Sequence, residues 1–256
     1  MTTVDSLPTE TTFAQSEGWT LHLANEIGST NSAARHLAAG HAVRARVQTD
    51  GRGRTGRPWV SDEGGLWLSA VLACPGNRAR WSILPLAAGW AIIGALKELG
   101  ARNLRLRWPN DIMIGRRKLA GLLVERYSIH TAVVGVGLNV FNFPEVAEPA
   151  IAGVSARLAD LVPGGYTLDD LARLVLRAIG RAHALIREDD FRVIANELNL
   201  QWSEPRLVSV TLTGRAQTFT GLFHGIDDAG RIRLTTKTHG RCLYDAAQVA
   251  LLRELE

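Results

Sequence analysis

The sequence predicts an α/β protein in the α+β sense: a mixed β-sheet flanked by helices, followed by a small all-β unit. Up to Pro205, strand-like apolar segments are interspersed with helical segments. From Arg206 onward the pattern changes to short alternating strands separated by turn residues. Of the 256 residues 46% are hydrophobic and 21% charged, which is enough for a real core. We therefore predict domains at 1–205 and 206–256.

Up to Gly100 the chain predicts strands and two helices. Side chains of Ser29 to Asn31 are suited to an N-cap, so a helix is expected from there to about Ala39, ended by Gly40. An apolar helix is expected over 82–99. Its apolar stretch holds a proline and two glycines and is too short to span a bilayer. Strands are expected at 21–25, 43–48 and 66–72.

The rest of the larger unit predicts three further strands and two helices. Residues 141–165 are irregular and contain three prolines, and a connection of that length is usually functional. Thr167 is the expected N-cap of a helix that runs to about 186. The other expected elements are strands at 104–108, 118–126 and 132–140 and a helix at 191–200. After 206, glycine-containing turns separate short strands, which favours a small β-barrel.

Charge and cysteine content exclude several classes of protein. A net charge of +4 suits acidic substrates but is too weak, without a basic stripe, to indicate nucleic-acid binding. Cys74 and Cys242 lie far apart and outside metal-ligand spacing, as expected in a reducing cytoplasm. Residues 1–28 carry four acidic side chains and no lysine or arginine, so they are not a secretory signal. We expect a cytoplasmic protein with neither DNA nor a membrane as partner.

Residues 51–59, GRGRTGRPW, form the most unusual segment of the chain. Three glycines alternate with three arginines, and no apolar side chain before Trp59 anchors the segment in a core. Glycines let backbone N–H groups approach a ligand, and arginines donate bidentate hydrogen bonds to phosphate or carboxylate. Without an anion the three guanidiniums would repel one another. Because the segment lies between two strands, we interpret it as a loop that orders around an anionic small molecule, and not as a linker or a nucleic-acid-binding tail.

Two further segments place polar side chains beside predicted strands. Pro109, Asn110 and Asp111 follow a strand, and an amide and a carboxylate at a strand end are typical of binding sites, although a turn explains them equally well. Lys118 opens an apolar run in a chain that has 29 basic residues and only three lysines. A compact ammonium at that point indicates a charge directed at one oxygen.

A third segment combines glycines with an amide. Gly135 and Gly137 lie in a buried strand, where they usually indicate close approach of a ligand or of another backbone. Asn139 follows, and its amide could read a planar hydrogen-bonding edge such as that of adenine.

In this order GRGRTGRPW, WPND, KLAGLLVE and GVGLNV resemble the motifs of the biotin–protein ligases, and the resemblance covers nearly the whole chain from Ser29 onward. It implies a catalytic domain with a C-terminal SH3-like β-barrel. It also implies two half-reactions: biotin and ATP give biotinyl-5′-AMP and diphosphate, with Mg²⁺, and a lysine of a biotin carboxyl carrier domain then takes the biotinyl group.

The resemblance also assigns residues. Lys118 and Arg54 are the implied catalytic residues, and Asp111 is the implied ligand of Mg²⁺. The implied biotin contacts are Ser29, Thr30, Asn31, Gln48, Gly51, Arg52, Gly53, Arg54, Lys118 and Gly121. The implied ATP or adenylate contacts are Arg52, Arg54, Arg57, Trp59, Arg107, Asn110, Asp111, Lys118 and Asn139. Arg107 departs from the family, which usually has lysine before WPND.

Repressor-type members of the family carry an additional N-terminal helix-turn-helix domain. Residues 1–28 are too few and too acidic for one, so we expect the monofunctional enzyme, as a monomer or a homodimer, acting on the carrier domain of biotin-dependent carboxylases. The sequence leaves open whether the C-terminal unit shapes the ATP site, the acceptor surface or both.

Two alternatives are weighed against this. A lipoate–protein ligase or octanoyltransferase has a related fold, but the transferase needs a nucleophilic cysteine, and neither cysteine lies in a motif. A nucleic-acid-binding module needs aromatic residues interleaved with the arginines, and only Trp59 is available.

Overall fold

The structure, a computed structural model, consists of two β-sheets with five α-helices among the residues it describes, which are 12–16, 18–76, 81–147, 153–215 and 217–255. Residues 1–11 and residue 17 of the acidic N-terminal segment lie outside them. The strands of the larger sheet are β1 (Thr12–Ser16), β2 (Trp19–Ile27), β3 (His41–Gln48), β4 (Leu66–Ala73), β5 (Leu104–Arg107), β6 (Asp111–Ile114), β7 (Arg117–Glu125) and β8 (Thr131–Leu138). The smaller sheet contains β9 (Arg206–Leu212), β10 (Thr218–Ile226), β11 (Ile232–Thr236), β12 (Gly240–Tyr244) and β13 (Val249–Glu254).

The larger sheet is mixed, as predicted. Its strand order is β1-β2-β3-β4-β8-β7-β6-β5. The pair β2–β3 is parallel and the other neighbouring pairs are antiparallel. Central β4 and β8 pair over their full lengths, so these two strands form the middle of the sheet.

The four predicted helices are present, one of them shorter than predicted, and a further short helix at Pro144–Ala147 lies in the segment 141–165 that was expected to be irregular. The helices are α1 (Thr30–Ala34), α2 (Leu84–Glu98), α3 (Pro144–Ala147), α4 (Leu168–Arg187) and α5 (Phe191–Gln201). Thr167 and Asp170 form a capping box at the start of α4. The prediction that the first helix reaches Ala39 was wrong: Leu37 N bonds to Ala34 O, which tightens the last turn, and the chain then turns into β3. None of the helices in the described ranges combines the length and apolar character that a membrane crossing requires.

The larger sheet has two different faces, which we call the helix face and the open face. On the helix face Leu68, Val134 and Val136 join the main hydrophobic core, to which α2 and α4 also contribute. On the open face α1 contacts β3, β4 and β8. There Val71 and Val133 pack with Ala33 and Ala34. The next residue of β8 on the same face is Gly135, which has no side chain. The open face therefore leaves room beside α1.

The smaller sheet is antiparallel, with the order β12-β11-β10-β9-β13, so its edges are β12 and β13. This sheet is the counterpart of the predicted C-terminal barrel, and its five strands form an open sheet. Its buried residues, including Val208 and Phe223, belong to the same hydrophobic cluster as the larger sheet. Arg105 and Glu254 form a bidentate ion pair between β5 and β13, at 2.6 and 2.5 Å. The sheet begins at Arg206, but the division into domains 1–205 and 206–256 stays a prediction.

Candidate active site

A cavity of about 410 Å³ lies on the open face, beside α1. Its walls come from α1, the loop at 51–59, the β5–β6 turn, β7, β8 and β13. The lining contains all but one of the residues that the sequence assigned to the site: Ser29, Thr30, Asn31, Gln48, Arg52, Gly53, Arg54, Arg57, Trp59, Arg107, Asn110, Asp111, Lys118, Gly121 and Asn139. The exception is Gly51. Thus segments far apart in sequence meet at one place.

Gly51 has a structural part in the loop instead. Trp59 N donates to Gly51 O at 2.8 Å, and Gly53 N donates to Arg57 O at 2.8 Å, so the loop folds as a small hairpin. A Cβ on Gly51 would lie 2.5 Å from Ser61 Oγ and 2.6 Å from Trp59 O. Glycine is therefore required there because backbone and side chain approach so closely, and the implied biotin contact of Gly51 stays a prediction.

Two arginines of the loop have partners within the protein. Arg52 donates to Ser32 Oγ at 3.0 Å and pairs with Glu125 at 3.5 Å. Arg54 donates to the carbonyl oxygens of Ala246 and, at 2.9 Å, of Val249 in the smaller sheet. Burial lowers the pKa of Arg54, only partly offset by Asp111. A carboxylate and backbone carbonyls are therefore the partners of these two guanidiniums within the protein, and ordering of the loop around an anionic small molecule stays a prediction.

Neutral polar groups line the end of the cavity next to α1. Gln48 Oε1 accepts from Thr30 N at 2.8 Å and from Thr30 Oγ1 at 2.9 Å. Ser69 Oγ lies 2.8 Å from Thr30 Oγ1 and 2.6 Å from Asn31 Oδ1, and its single proton can serve one of them at a time. Ser29 is buried and its side chain caps α1 through Ser32 N. We call this region the neutral end.

Glycines on β7 and β8 make room for these side chains. A Cβ on Gly135 would lie 2.2 Å from Asn31 Oδ1, and one on Gly137 would lie 2.5 Å from Trp59 Nε1. The sequence predicted close approach of a ligand or a backbone at this strand. The structure shows that side chains of α1 and of the loop approach these glycines, and the approach of a ligand stays a prediction.

Charged groups line the opposite end, which we call the charged end. Asp111 Oδ1 lies 2.6 Å from Lys118 Nζ, and Asp111 Oδ2 lies 2.6 Å from Arg107 Nη2. Burial acts to raise the pKa of Asp111, but the two cations outweigh it and the pKa lies below its usual value. The charged end thus has one carboxylate between two cations, with Arg54 also close enough to interact with it.

Asn110 lies in the turn between β5 and β6, and Asp111 is the first residue of β6. Arg107 pairs with Asp111 across this β5–β6 hairpin, and the sequence prediction did not include β6. Asn110 Nδ2 donates to Leu122 O at 2.6 Å, so this amide fixes the turn against β7. The turn is present at Asn110, both residues line the cavity, and their part in binding stays a prediction.

Trp59 connects the two ends. Lys118 Nζ lies 4.7 Å from the centroid of the Trp59 ring, within cation–π range. Trp59 Nε1 is buried, with no hydrogen-bond partner among the described residues. Asn139 is also buried, and its Oδ1 accepts from Asn142 Nδ2 at 3.3 Å. An aromatic face, a cation and an amide therefore share one wall.

Sequence reasoning missed three contributors to this site. Ser69 is the one hydroxyl in the apolar strand β4, LWLSAVLA, and that exception was a usable signal. Glu125 ends the KLAGLLVE motif and contacts both Asn31 and Arg52. The carbonyls of Ala246 and Val249 left no signal, because every residue type carries a backbone carbonyl.

The residues present fit a magnesium ion only together with a phosphate ligand. Across the described ranges there is no group of three or more His, Cys, Asp or Glu side chains that could hold a metal. Asp111 is the carboxylate in the cavity, and both its oxygens are in ion pairs. Mg²⁺ commonly binds through one or two carboxylates, with substrate phosphates and water completing its coordination shell. Asp111 fits as the one carboxylate ligand of such an ion.

Comparison with known proteins agrees with the geometry. A model of the biotin/lipoate A/B protein ligase family matches residues 26–139. The chain is 31% identical to the biotin–[acetyl-CoA-carboxylase] ligase of Paracoccus denitrificans over 86% of this chain and 96% of that one. It is 32% identical to the ligase of the same name from Mycobacterium tuberculosis, over 85% and 84%.

A solved structure has the same fold. The biotin protein ligase of Aquifex aeolicus in complex with biotin and ATP superposes with a TM-score of 0.78 at 26% identity, covering 92% of this chain and 99% of that one. Because two relatives above 30% identity are matched over most of their length, and the cavity holds the family's motifs together, this chain belongs to the biotin protein ligase family.

Proposed function

We propose that the cavity binds biotin and ATP, forms biotinyl-5′-AMP, and passes the biotinyl group to a lysine of a carrier protein. The observation that carries this is the two-ended cavity. A neutral end with hydroxyls and amides suits an uncharged polar ring system such as the ureido group of biotin. A charged end with Arg107 and Lys118 suits the oxygens of a carboxylate and of phosphates.

In the first half-reaction a carboxylate oxygen of biotin attacks the α-phosphorus of ATP and diphosphate leaves. Two anions must come together, so the cations of the charged end reduce their repulsion and stabilise the charge that develops at phosphorus. We assign this catalytic role to Lys118 and Arg54, with Arg57 and Arg107 as further phosphate contacts. Lys118 and Arg107 are held by Asp111, which keeps both cations at the charged end.

The adenine has a proposed place at the wall formed by Trp59 and Asn139. The ring of Trp59 offers a stacking surface and the amide of Asn139 offers hydrogen bonds. The biotin contacts are proposed for Ser29, Thr30, Asn31, Gln48, Arg52, Gly53 and Gly121, which line the cavity. When bound with ATP, Mg²⁺ would neutralise phosphate charge. Asp111 and Asn110 are the residues that we propose would hold it.

In the second half-reaction the lysine amine of the acceptor attacks the acyl carbon of the adenylate, forming the amide and releasing AMP. The acceptor is a biotin carboxyl carrier protein or domain. A cytoplasmic location is proposed because the reaction consumes ATP and because both cysteines are unpaired. The absence of DNA and membrane partners, and a monomeric or homodimeric state, stay predictions.

The alternative function, lipoate ligation or octanoyl transfer, is less well supported. Neither Cys74 nor Cys242 lines the cavity, and burial raises the pKa of the Cys74 thiol to about 11, which disfavours the thiolate a nucleophile needs. The Paracoccus denitrificans and Mycobacterium tuberculosis relatives, at 31% and 32% identity, are biotin–[acetyl-CoA-carboxylase] ligases by name.

The test is incubation of the protein with biotin, Mg·ATP and a biotin carboxyl carrier domain, followed by an avidin blot. A band that depends on ATP and on the acceptor lysine is expected. ATP–diphosphate exchange with biotin or with lipoate, measured in parallel, separates the two candidate functions. Exchange with lipoate alone would contradict the proposal.

A further inference from the structure

Glu125, at the end of β7, joins three elements that are distant in sequence. Its Oε2 accepts from Asn31 Nδ2 at 2.7 Å and from Tyr127 Oη at 2.7 Å. Its Oε1 pairs with Arg52 Nη2 at 3.5 Å. One carboxylate thus connects α1, the loop at 51–59 and the segment that follows β7.

Glu125 and Tyr127 do not line the cavity, whereas Asn31 and Arg52 do. Any effect of Glu125 on the reaction therefore has to pass through those two side chains. Asn31 is held in a single orientation, because its Nδ2 donates to Glu125 and to Leu123 O while its Oδ1 faces Ser69 Oγ. Arg52 in turn is held between Glu125 and Ser32.

The charges around Glu125 agree with this arrangement. Burial acts to lower the pKa of Arg52, but Glu125 outweighs it and the pKa is raised. Burial and the neighbouring Glu125 raise the pKa of Tyr127 to about 12, so the phenol stays protonated and donates to the carboxylate. The Glu125 side chain is 26% exposed, so solvent screens the pair with Arg52 only partly.

We propose that Glu125 is a positioning residue that holds the loop closed over the neutral end, through Arg52, and sets the orientation of Asn31. This inference rests on the proposed function. It predicts that Glu125 acts on the capture of biotin and on the retention of the adenylate, and not on the transfer of the adenylyl group. A loop held less firmly releases the reactive adenylate to water.

The test compares Glu125→Gln with the wild-type protein in ATP–diphosphate exchange. Glutamine has the same size but no charge. It has one acceptor oxygen in place of two, so it cannot accept from Asn31 and Arg52 on separate oxygens. We expect KM for biotin to rise about tenfold, the loss typical of hydrogen bonds to a charged group, with kcat changed less than about twofold and KM for ATP unchanged. AMP release in the absence of acceptor should also increase.

Glu254→Gln is the matched control, because Glu254 on β13 is a carboxylate of similar exposure that also pairs with arginines, but these arginines lie on β5 and β9. It should leave KM for biotin within about twofold of wild type, since removal of a contact outside the site affects stability more than binding. A similar rise in KM for biotin in both variants would overturn the inference, because it would show a general loss of structure.

Two further measurements keep the result decisive. Glu125→Asp keeps the charge and shortens the reach by one methylene, so it should give a smaller rise in KM for biotin; this variant replaces Glu125→Gln if the latter does not fold. Hydrogen exchange at 51–58 with biotin bound should be faster in the folded variant than in wild type. An unchanged KM for biotin, or a fall in kcat with KM unchanged, would overturn the inference.

The two proposals fail separately. If wild-type protein attaches no biotin to a carrier domain, the proposed function fails. If wild-type protein is active and the Glu125 variants bind biotin as it does, only the positioning role fails.

Discussion

The two faces of the larger sheet use the same strands for different purposes. On the helix face Val134 packs in the hydrophobic core. On the open face the next residue, Gly135, has no side chain, and the space is taken by Asn31. Opposite Gly135 on β4, Ser69 supplies a hydroxyl in place of an apolar group.

The difference shows how a rigid core positions a polar site. Buried apolar side chains hold the strands in place from one face. The polar groups on the other face therefore stay in fixed positions relative to one another, although no large hydrophobic core covers that face. The cost is local, since glycine in a strand lowers stability, and it is confined to the open face. If this division is correct, substitutions on the open face change binding and catalysis, and those on the helix face change stability.

The largest expected effect is at Lys118, on the charged end. Lys118→Ala removes the ammonium that lies 2.6 Å from Asp111 and leaves that carboxylate with Arg107. Adenylate formation should fall on the order of 100-fold or more, as when one group that stabilises developing charge is removed. ATP–diphosphate exchange measures it. Lys237→Ala, at an exposed position outside the cavity, is the control, and near-wild-type exchange by Lys118→Ala would show that the assigned role is wrong.

The next effect compares neighbouring residues on β8. Gly135→Ala places a Cβ 2.2 Å from Asn31 Oδ1, so Asn31 must move and KM for biotin should rise about tenfold. Val134→Ala leaves a cavity in the core and should cost about 2 kcal/mol of unfolding free energy, with KM for biotin unchanged. Urea unfolding and steady-state kinetics on both variants separate the two faces. The reverse pattern would contradict the division.

A smaller effect concerns pH. The pKa of Asp111 lies below its usual 3.8 in the folded protein, so its ionised form stabilises the fold at pH values above the unfolded pKa. That contribution is lost as the pH falls through the folded pKa. The difference in unfolding free energy between wild type and Asp111→Asn should therefore be constant from pH 7 to about 5 and shrink below about pH 4. The difference between wild type and Val134→Ala should show no such decrease, and denaturant unfolding across this range checks both.

The smallest effect is a stabilisation behind the helix face. Gly180 lies inside α4, and a Cβ there would meet nothing within 4 Å. Gly180→Ala should raise the free energy of unfolding by up to about 1 kcal/mol, because alanine favours the helix, and should leave exchange activity unchanged. A thermal melt and one activity assay suffice. Lower activity would mean that α4 influences the site in a way this structure does not indicate.

Much of the fold followed from local patterns. The apolar run of α2, the start of α4 at Thr167 and the change to short alternating strands at Arg206 all correspond to observed elements. β6 and the end of α1 did not follow. β6 has four residues and α1 has five, and the extent of such short segments depends on packing and turn geometry more than on propensity.

The motifs likewise predicted most of the cavity lining but not its internal contacts. Gly51 is implied as a ligand contact by its motif, and only the structure shows how closely it approaches Ser61. The partners of Arg52 and Arg54 lie 73 and 195 residues away in the chain, so no local pattern could indicate them. Ser69 was visible as an exception in its strand but had no motif around it.

The sequence alone determined the family, the mixed sheet with its C-terminal strands, and the residue types that meet in the cavity, because these depend on motif order and on periodicity. Tertiary structure alone decided that GRGRTGRPW is held by Glu125 on one side and by the carbonyls of Ala246 and Val249 on the other. A loop without apolar side chains can be fixed only by partners that the rest of the chain brings to it. Those partners come together only when the two sheets pack into one core.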